Sequence, residues 1–274
     1  MRTKIVIFSV LLCVVMVSIS AKAQDATLGQ AASKFEIAQL EDVTDRLRED
    51  ASALGLSISE AEMKEIRYWV RLETSEGTVR RAQPSGHMIF VAKNVARPEL
   101  EKDGISLSDS EIREKAVSLA VSLGVNGEEV GEVFVRKIMT QLEDAEGNDV
   151  GLPKVAGFAV SCKRHLGDLE VFGGGAKFFF NAHGELWRAD IKWRPITEDS
   201  GTTVVLTGYD EAEEKLKSVI RERCGEREPH SENFFMVYNE AESREGQDNY
   251  TPVLIGQYSV IENGLIETVS VTLD

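Results

Sequence analysis

The feature that most limits the fold is a recurring order, in which one helical segment is followed by several strand-like segments. Over residues 31–54, apolar side chains recur every three or four positions, which predicts a helix that ends at Gly55. A second helix begins at the capping box of Ser108 and Glu111, and a third is predicted over residues 210–223. Because antiparallel strands after a helix are typical of α+β proteins, the sequence predicts an α+β fold of tandem helix-plus-antiparallel-sheet units.

Three such units are predicted, over residues 24–97, 105–196 and 207–274, and they follow a signal peptide over residues 1–23. Arg2 and Lys4 precede an apolar run, and Ala21 and Ala23 form a small-x-small cleavage pattern. The run is shorter than the roughly 20 residues of a bilayer-spanning helix. We therefore expect a secreted or periplasmic protein with no membrane span after cleavage. A single α+β domain, rather than repeated units, is the alternative.

The charge of the chain argues against two classes of partner. The formal net charge is −15, and cleavage after Ala23 removes three basic residues and no acidic one. Nucleic acids and anionic lipid surfaces are bound by clustered Lys and Arg, so an acidic chain disfavours both. The four histidines show no HExxH or HxH spacing, and we expect neither a metal nor a cofactor.

Two cysteines, Cys162 and Cys224, remain once the signal peptide is removed. In an oxidising compartment such a pair predicts one disulfide. A thiol nucleophile or a metal pair is the alternative, but the chain lacks a CxxC spacing.

Three consecutive glycines, Gly173 to Gly175, precede a strand pattern rather than a helix. Since a phosphate loop needs a helix N-terminus, we expect these glycines to mark a bulge or a close approach of two backbones. The loop over residues 181–184 then predicts a hairpin turn between two strands.

The sequence offers one weak catalytic motif, "DSGT", which begins at Asp199. Aspartic proteases need two aspartates that share a proton, and the chain has no second copy of the motif. The segment is predicted to be a turn between the second and third units. No GxSxG or SxxK motif is present. We therefore expect a protein without catalytic residues, with a hydrolase that uses Asp199 as the alternative.

The phrases "GLPKVAGFAV" and "LEVFGGGAKFFFNAHGELWRADIKW", together with the helix-then-hairpin order, resemble PepSY-type modules and the propeptide modules of fungalysin and thermolysin. The resemblance covers residues 151–195. It implies a secreted, cystatin-like module that binds or inhibits peptidases and has no catalytic residues. Because no peptidase domain follows Asp274, we expect any such partner to be a separate secreted or envelope protein.

The predicted contact surface is the hairpin that carries Asn181, His183, Trp187 and Trp193, because exposed aromatic side chains often anchor interfaces. The two tryptophans are an even number of residues apart, so a regular strand would place both on one face. That face is alternatively part of the core beneath a helix. A further alternative is an envelope structural or lipid-carrier protein with an apolar cavity between helix and sheet.

Overall fold

The computed structural model describes residues 31–38, 42–59, 61–95, 107–143, 149–205, 209–224, 231–262 and 265–272. The predicted signal peptide lies outside these ranges. The helices of the described residues are α1 (Val43–Ala53), α2 (Asp109–Ser122) and α3 (Tyr209–Cys224), with a short 3-10 helix at Gly127–Glu129. The strands are β1 (Ala31–Ile37), β2 (Glu62–Ile66), β3 (Trp69–Glu73), β4 (Gly77–Ala82), β5 (Met88–Ala92), β6 (Val130–Glu143), β7 (Asp149–Leu166), β8 (Leu169–Phe172), β9 (Gly175–Asn181), β10 (Leu186–Lys192), β11 (Ile196–Val205), β12 (Ser231–Asn239), β13 (Asn249–Tyr250), β14 (Pro252–Glu262) and β15 (Leu265–Thr272).

One large mixed sheet joins strands from all three predicted units, so the predicted tandem α+β arrangement is wrong. The sheet runs in the order β15-β14-β12-β8-β7-β9-β10-β5-β4-β3-β2, with β6 paired to β7. Antiparallel pairing of β5 with β10 joins the first segment to the second, and parallel pairing of β8 with β12 joins the second to the third. The helix-then-strands order is therefore local. In separate units, β5, β10, β8 and β12 would lie at exposed sheet edges. Here they pair with one another across the predicted boundaries, so their backbone N–H and C=O groups do not stay unpaired.

A second sheet of three strands corrects two further predictions. Its order is β11-β1-β13, so residues 31–37 form a strand where a helix is predicted. Helix α1 begins only at Val43, after Asp42 accepts a hydrogen bond of 2.7 Å from the Thr44 N–H. The backbone of Asp199 lies in β11, opposite Phe35, and not in the predicted turn.

Helices α1 and α2 share one apolar core on one face of the sheet. Leu47 and Ala51 of α1 and Ile112, Ala116 and Ala120 of α2 are fully buried there. The strands contribute Phe158, Val160, Phe178 and Phe180. Fully burying one such large side chain stabilises the fold by about 1.5 to 3 kcal/mol. The predicted capping box of Ser108 and Glu111 is present at the start of α2.

Helix α3, which lies close to its predicted bounds, forms a separate cluster with the C-terminal strands. Ala212, Leu216 and Ile220 pack against Phe234, Leu254 and Tyr258. The positions of these three helical residues, four apart, explain why one face of α3 is apolar.

The glycine run lies where two backbones meet, as predicted. Gly175 has φ +123°, and a Cβ atom there would lie 2.6 Å from the Cys162 carbonyl oxygen. Only glycine fits this position, because an added methyl group would meet the backbone of β7.

Candidate functional site: a cationic sheet face and a Ser–His–Asp cluster

The sheet surface opposite α1 and α2 carries the outward-pointing side chains of strands β2 to β7, β9 and β10. Strand residues alternate between faces, so Phe178 and Phe180 enter the core while Lys177 and Phe179 lie on the open side. On this side Lys and Arg outnumber Asp and Glu by nine to four. We call it the cationic face; it comprises Lys64, Arg71, Arg80, Lys93, Arg136, Lys163, Lys177, Arg188 and Lys192 with Glu62, Glu73, Glu132 and Asp190.

The cationic side chains are close neighbours across the strands. Arg71 of β3 lies directly opposite Arg80 of β4, and Arg80 lies opposite Ile89 of β5. The same row continues through Asp190 to Lys177. Like charges directly opposite each other destabilise a sheet. Arg71 and Arg80 form such a like-charged pair, and a ligand of opposite charge would offset its cost.

Aromatic rings hold several of these cations without neutralising them. The Arg80 guanidinium lies 4.7 Å from the centre of the Trp69 ring, and that of Arg188 lies 5.7 Å from the centre of Phe179. The Lys163 ammonium lies 5.6 Å from the ring centre of Phe134, but it also pairs with Glu170 of β8 at 2.7 Å. Such contacts orient a cation while leaving its charge free to meet an anion.

Only part of the cationic charge is paired within the face. Glu73 accepts from Arg71 at 2.6 Å and from Lys93 at 2.7 Å, and Arg188 lies 3.4 Å from Asp190. Lys64 pairs with Glu62 at 2.8 Å, and Lys163 pairs with Glu170 of the adjoining β8 at 2.7 Å. Across the described ranges, by contrast, Arg80, Arg136, Lys177 and Lys192 form no ion pair with a carboxylate. These four cations are available to a ligand.

At the border of the cationic face, His87 connects Asp190 to a serine from a distant loop. The Ser243 hydroxyl donates to His87 Nδ1 at 2.5 Å, and His87 Nε2 donates to the Asp190 carboxylate at 2.6 Å. This tautomer, with the proton on Nε2, satisfies both contacts. His87 is 7% exposed, and its ring centre lies 5.4 Å from that of Trp69. The arrangement has the connectivity of a nucleophile, a base and an orienting carboxylate.

The electrostatics of Asp190 fit that role. Partial burial opposes its ionisation, whereas the hydrogen bond that His87 donates and the nearby Arg188 favour it, and the balance favours the carboxylate. The pKa of Asp190 is therefore lower than the ordinary aspartate value, and the carboxylate is ionised near neutral pH.

Ser243 lies on a tight turn that is fixed from three sides. The Glu245 N–H donates to the Glu242 carbonyl at 2.9 Å, which closes the turn around Ser243 and Arg244. The Ser85 hydroxyl donates to the Ser243 carbonyl at 2.8 Å. The buried Arg194, which follows β10, donates to the Glu245 carbonyl at 2.9 Å.

A chain of buried polar groups lies behind this turn. Arg194 pairs with Glu240, whose other carboxylate oxygen accepts from the Tyr250 hydroxyl. Arg164 donates to that hydroxyl at 2.9 Å and to Glu129 at 2.7 Å. Burial raises the pKa of Tyr250, so the phenol stays protonated and donates to Glu240. These bonds connect the C-terminal loop to the central sheet.

Two cavities lie on the opposite side, beside the helices. The larger, of about 520 Å³, lies between α1, α2 and the sheet, with Leu54, Phe90, Leu119, Phe180 and Leu186 in its lining. A smaller one of about 280 Å³ lies next to Arg81 and Trp193.

The structure separates the predicted hairpin residues. The Asn181 side chain accepts from the N–H groups of His183 and Glu185 at 3.0 and 2.9 Å, so Asn181 shapes the turn. His183 is exposed at its tip. Trp193 is 7% exposed, belongs to the core and donates to Glu129 at 3.0 Å.

Trp187 lies on the other side of the sheet, against Phe179, with the ring centres 5.3 Å apart. The prediction that both tryptophans share a face is therefore wrong. The cause is a bulge between Leu186 and Arg188, which interrupts the regular alternation of β10.

Two other predictions fall partly outside the described residues. Cys162 is a free, buried thiol in this structure, but nothing is described of the Cys224 side chain, and the disulfide stays a prediction. The Asp199 side chain is likewise not described, so its catalytic use also stays a prediction. Within the described ranges, no group of three or more His, Cys, Asp and Glu side chains is placed to hold a metal ion. None of the helices described is long and apolar enough to cross a bilayer.

Sequence reasoning missed both the cationic face and the Ser243 cluster. The face has a sequence signal, because Arg188, Asp190 and Lys192 alternate with the core residues Ala189 and Ile191 in β10. The cluster has none, since its three residues come from segments more than fifty positions apart.

Comparison with known proteins gives a fold and no activity. No family model and no curated protein matches the chain. The crystal structure of an uncharacterized protein from Eubacterium rectale is similar, with a TM-score of 0.54 and 11% sequence identity. The alignment covers 89% of this chain and 82% of that one. At this identity, the similarity supports a shared fold only.

Proposed function

We propose that this is a secreted binding protein whose cationic face takes an acidic segment of a polypeptide. The observation that carries the proposal is the separation of charge. The chain has a net charge of −15, yet one sheet face holds nine Lys and Arg side chains against four acidic ones. Complementary charge steers a partner to one surface and sets its orientation.

The geometry favours an extended peptide over a carbohydrate. Sugar rings would need free aromatic faces, but Trp69, Phe134 and Phe179 already have a cation over the ring. Arg80 and Lys177 are three strands apart, which corresponds to about 14 Å at the usual strand spacing. An extended peptide of about four residues spans that distance, so carboxylates at its two ends reach both cations.

The acidic remainder of the protein limits the partner further. A long polyanion such as a nucleic acid would also meet the negative surfaces of the chain, whereas a short acidic segment contacts the cationic face alone. Exposed charge pairs contribute about 0.2 to 1 kcal/mol each, so several together give moderate affinity that falls as salt rises. The resemblance to PepSY-type modules is compatible with a peptidase as the separate chain that carries this segment.

The test is a titration of a fluorescein-labelled oligoglutamate peptide, followed by fluorescence anisotropy at low and high salt. The variant Arg80→Glu/Lys177→Glu reverses two unpaired cations of the face, and we expect at least tenfold weaker binding. The control Arg48→Glu/Arg113→Glu makes the same change in net charge on the helices that cover the other side of the sheet. We expect that control to bind within about twofold of the unmodified protein. Equal weakening by both variants, or binding that salt does not change, would contradict the proposal.

A lipid carrier is a second candidate, supported by the cavity of about 520 Å³ between the helices and the sheet. Its lining is largely apolar, and Lys115 lies beside it. Native mass spectrometry of the purified protein tests this candidate, because a bound amphiphile would appear as an added mass that organic extraction removes. Protein of the unmodified mass, with no extractable lipid, would count against it.

A further inference from the structure

We propose that Ser243 is a nucleophile that cleaves carboxylic esters, with His87 as its general base and Asp190 as the carboxylate that orients His87. The proposal adds an activity that the binding role does not require. It rests on the contacts of three residues that lie far apart in the chain and meet at the border of the cationic face.

The first argument is the continuous hydrogen-bond connection. Ser243 Oγ lies 2.5 Å from His87 Nδ1, within reach for direct proton transfer. His87 Nε2 lies 2.6 Å from Asp190, which fixes the ring and leaves the lone pair of Nδ1 directed at the serine. The two ring nitrogens have exchanged roles relative to chymotrypsin-type proteases, but either nitrogen can act as the base.

The second argument is a pair of available backbone donors. In the turn closed by Glu245 and Glu242, the N–H groups of Ser243 and Arg244 donate to no acceptor among the residues described. The first N–H belongs to the nucleophile itself, and the second belongs to the residue that follows it. A pair of such N–H groups stabilises the oxyanion that forms when a serine attacks a carbonyl.

The third argument is the fixed position of the turn. Ser85 holds the Ser243 carbonyl, and Arg194, 1% exposed, holds the Glu245 carbonyl. A reactive serine needs the turn held so that its hydroxyl stays aligned with the base.

The reaction balances without any other reactant than water. As Ser243 Oγ bonds to the ester carbonyl carbon, its proton moves to His87 Nδ1. The bond to the leaving oxygen then breaks, and His87 returns that proton to the departing alcohol. Water next adds to the acyl carbon while His87 takes one of its protons, and the carboxylic acid leaves as Ser243 Oγ regains a proton. Asp190 stays ionised throughout and stabilises the protonated ring.

The surroundings indicate the kind of ester. Trp69 packs beside His87, and the Arg80 guanidinium lies over the same ring, so this ring offers no free face to a large acyl group. Ser243 itself is half-buried, which limits its substrate to a small ester. We therefore expect activity on esters with a short acyl group, for which p-nitrophenyl acetate is the probe.

The experiment uses a biotin-linked fluorophosphonate, which reacts with activated serines, followed by peptide mass spectrometry. We expect one modified site, Ser243, and hydrolysis of p-nitrophenyl acetate at a rate that falls to background in Ser243→Ala. His87→Gln and Asp190→Asn should each slow labelling by about 10² to 10⁴-fold, the usual contribution of a positioned base. Ser110→Ala, at an exposed serine in the first turn of α2, is the matched control and should react as the unmodified protein does.

The identity of the labelled peptide in the unmodified protein does not depend on whether any variant folds. Absence of label on Ser243, in protein with a native circular-dichroism spectrum, would overturn the proposal. The contact of Ser243 with His87 would then be a structural link between the C-terminal loop and the sheet. Labelling of Ser243 that persists unchanged in His87→Gln would also overturn it, because the base would then play no part.

Discussion

Replacing Arg194 tests whether the C-terminal turn is held to the sheet by buried charge. The side chains of Arg194 and Glu240 are each 2% exposed. Arg194→Met removes the cation and leaves the carboxylate buried, with the Tyr250 hydroxyl as its remaining donor in the described structure. Breaking a buried pair in this way costs about 3 to 5 kcal/mol, because the remaining charge has lost its partner. The carbonyls of Pro84 and Glu245 also lose a donor.

The double variant Arg194→Met/Glu240→Leu removes both charges, and we expect it to be more stable than Arg194→Met alone. Its remaining penalties are the Tyr250 hydroxyl, which loses its acceptor, and the carbonyls of Pro84 and Glu245, which lose a donor in both variants. A buried group left unsatisfied costs about 1 to 3 kcal/mol. The two substitutions should therefore be non-additive by about 2 kcal/mol or more. Arg188→Met is the control, since the Arg188 side chain is 42% exposed and its pair with Asp190 is worth about 1 kcal/mol or less.

The assay is urea unfolding followed by tryptophan fluorescence, which Trp193 reports from the adjacent core. The slope of free energy against urea must stay constant across the variants for the comparison to hold. A loss below about 1 kcal/mol in Arg194→Met, equal to that of Arg188→Met, would refute the reasoning, because the Arg194 pair would then behave as an exposed one.

Three further predictions concern single positions. Gly175→Ala should lower the free energy of unfolding by about 3 kcal/mol, because φ is positive there and the new methyl group meets the Cys162 carbonyl. Gly151→Ala, with φ +79° and open space around it, should lower it by about 1 to 2 kcal/mol. Equal losses in chemical unfolding would contradict this. Burial raises the pKa of the Cys162 thiol from 9.0 to about 11, so stability should be retained below pH 9 and fall as pH rises toward 11. A thiol-reactive dye should react slowly with native protein, and a count of two thiols after denaturation without reductant would exclude a disulfide between Cys162 and Cys224. Ser108→Ala should destabilise α2 by about 1 kcal/mol in thermal unfolding, and a neutral result would show that the capping box adds nothing.

Local sequence is sufficient to predict α2 but not β1. At α2, the cap of Ser108, the apolar face of Ile112 and the left-handed Gly124 all favour one helix, and each acts within a few residues. Residues 31–37 carry a similar apolar spacing, yet they form a strand because β11 and β13 pair with it. Those partners lie more than 150 residues away, so no local pattern reveals them. The wrong prediction of tandem units has the same cause, since the pairing of β5 with β10 is also long-range.

The candidate site divides in the same way. The cationic face follows from alternation, because any strand with Lys or Arg between core residues must present those cations on the opposite side. The contact of Ser243 with His87 depends instead on where a C-terminal loop meets the turn after β4. Arg194 and Ser85 fix that meeting point, and neither belongs to a recognised motif.

Asp190 belongs to both proposed sites, which makes the two proposals separable. On the cationic face it lies between Ile89 and Lys177 and lowers the positive charge there. At the Ser243 cluster it orients His87. Asp190→Asn should therefore strengthen binding of an acidic peptide, because one repulsive charge is removed, and should slow labelling of Ser243. Ser243→Ala should abolish labelling and leave peptide binding unchanged. A fall of both activities in Asp190→Asn would contradict the separate roles that we assign to this carboxylate.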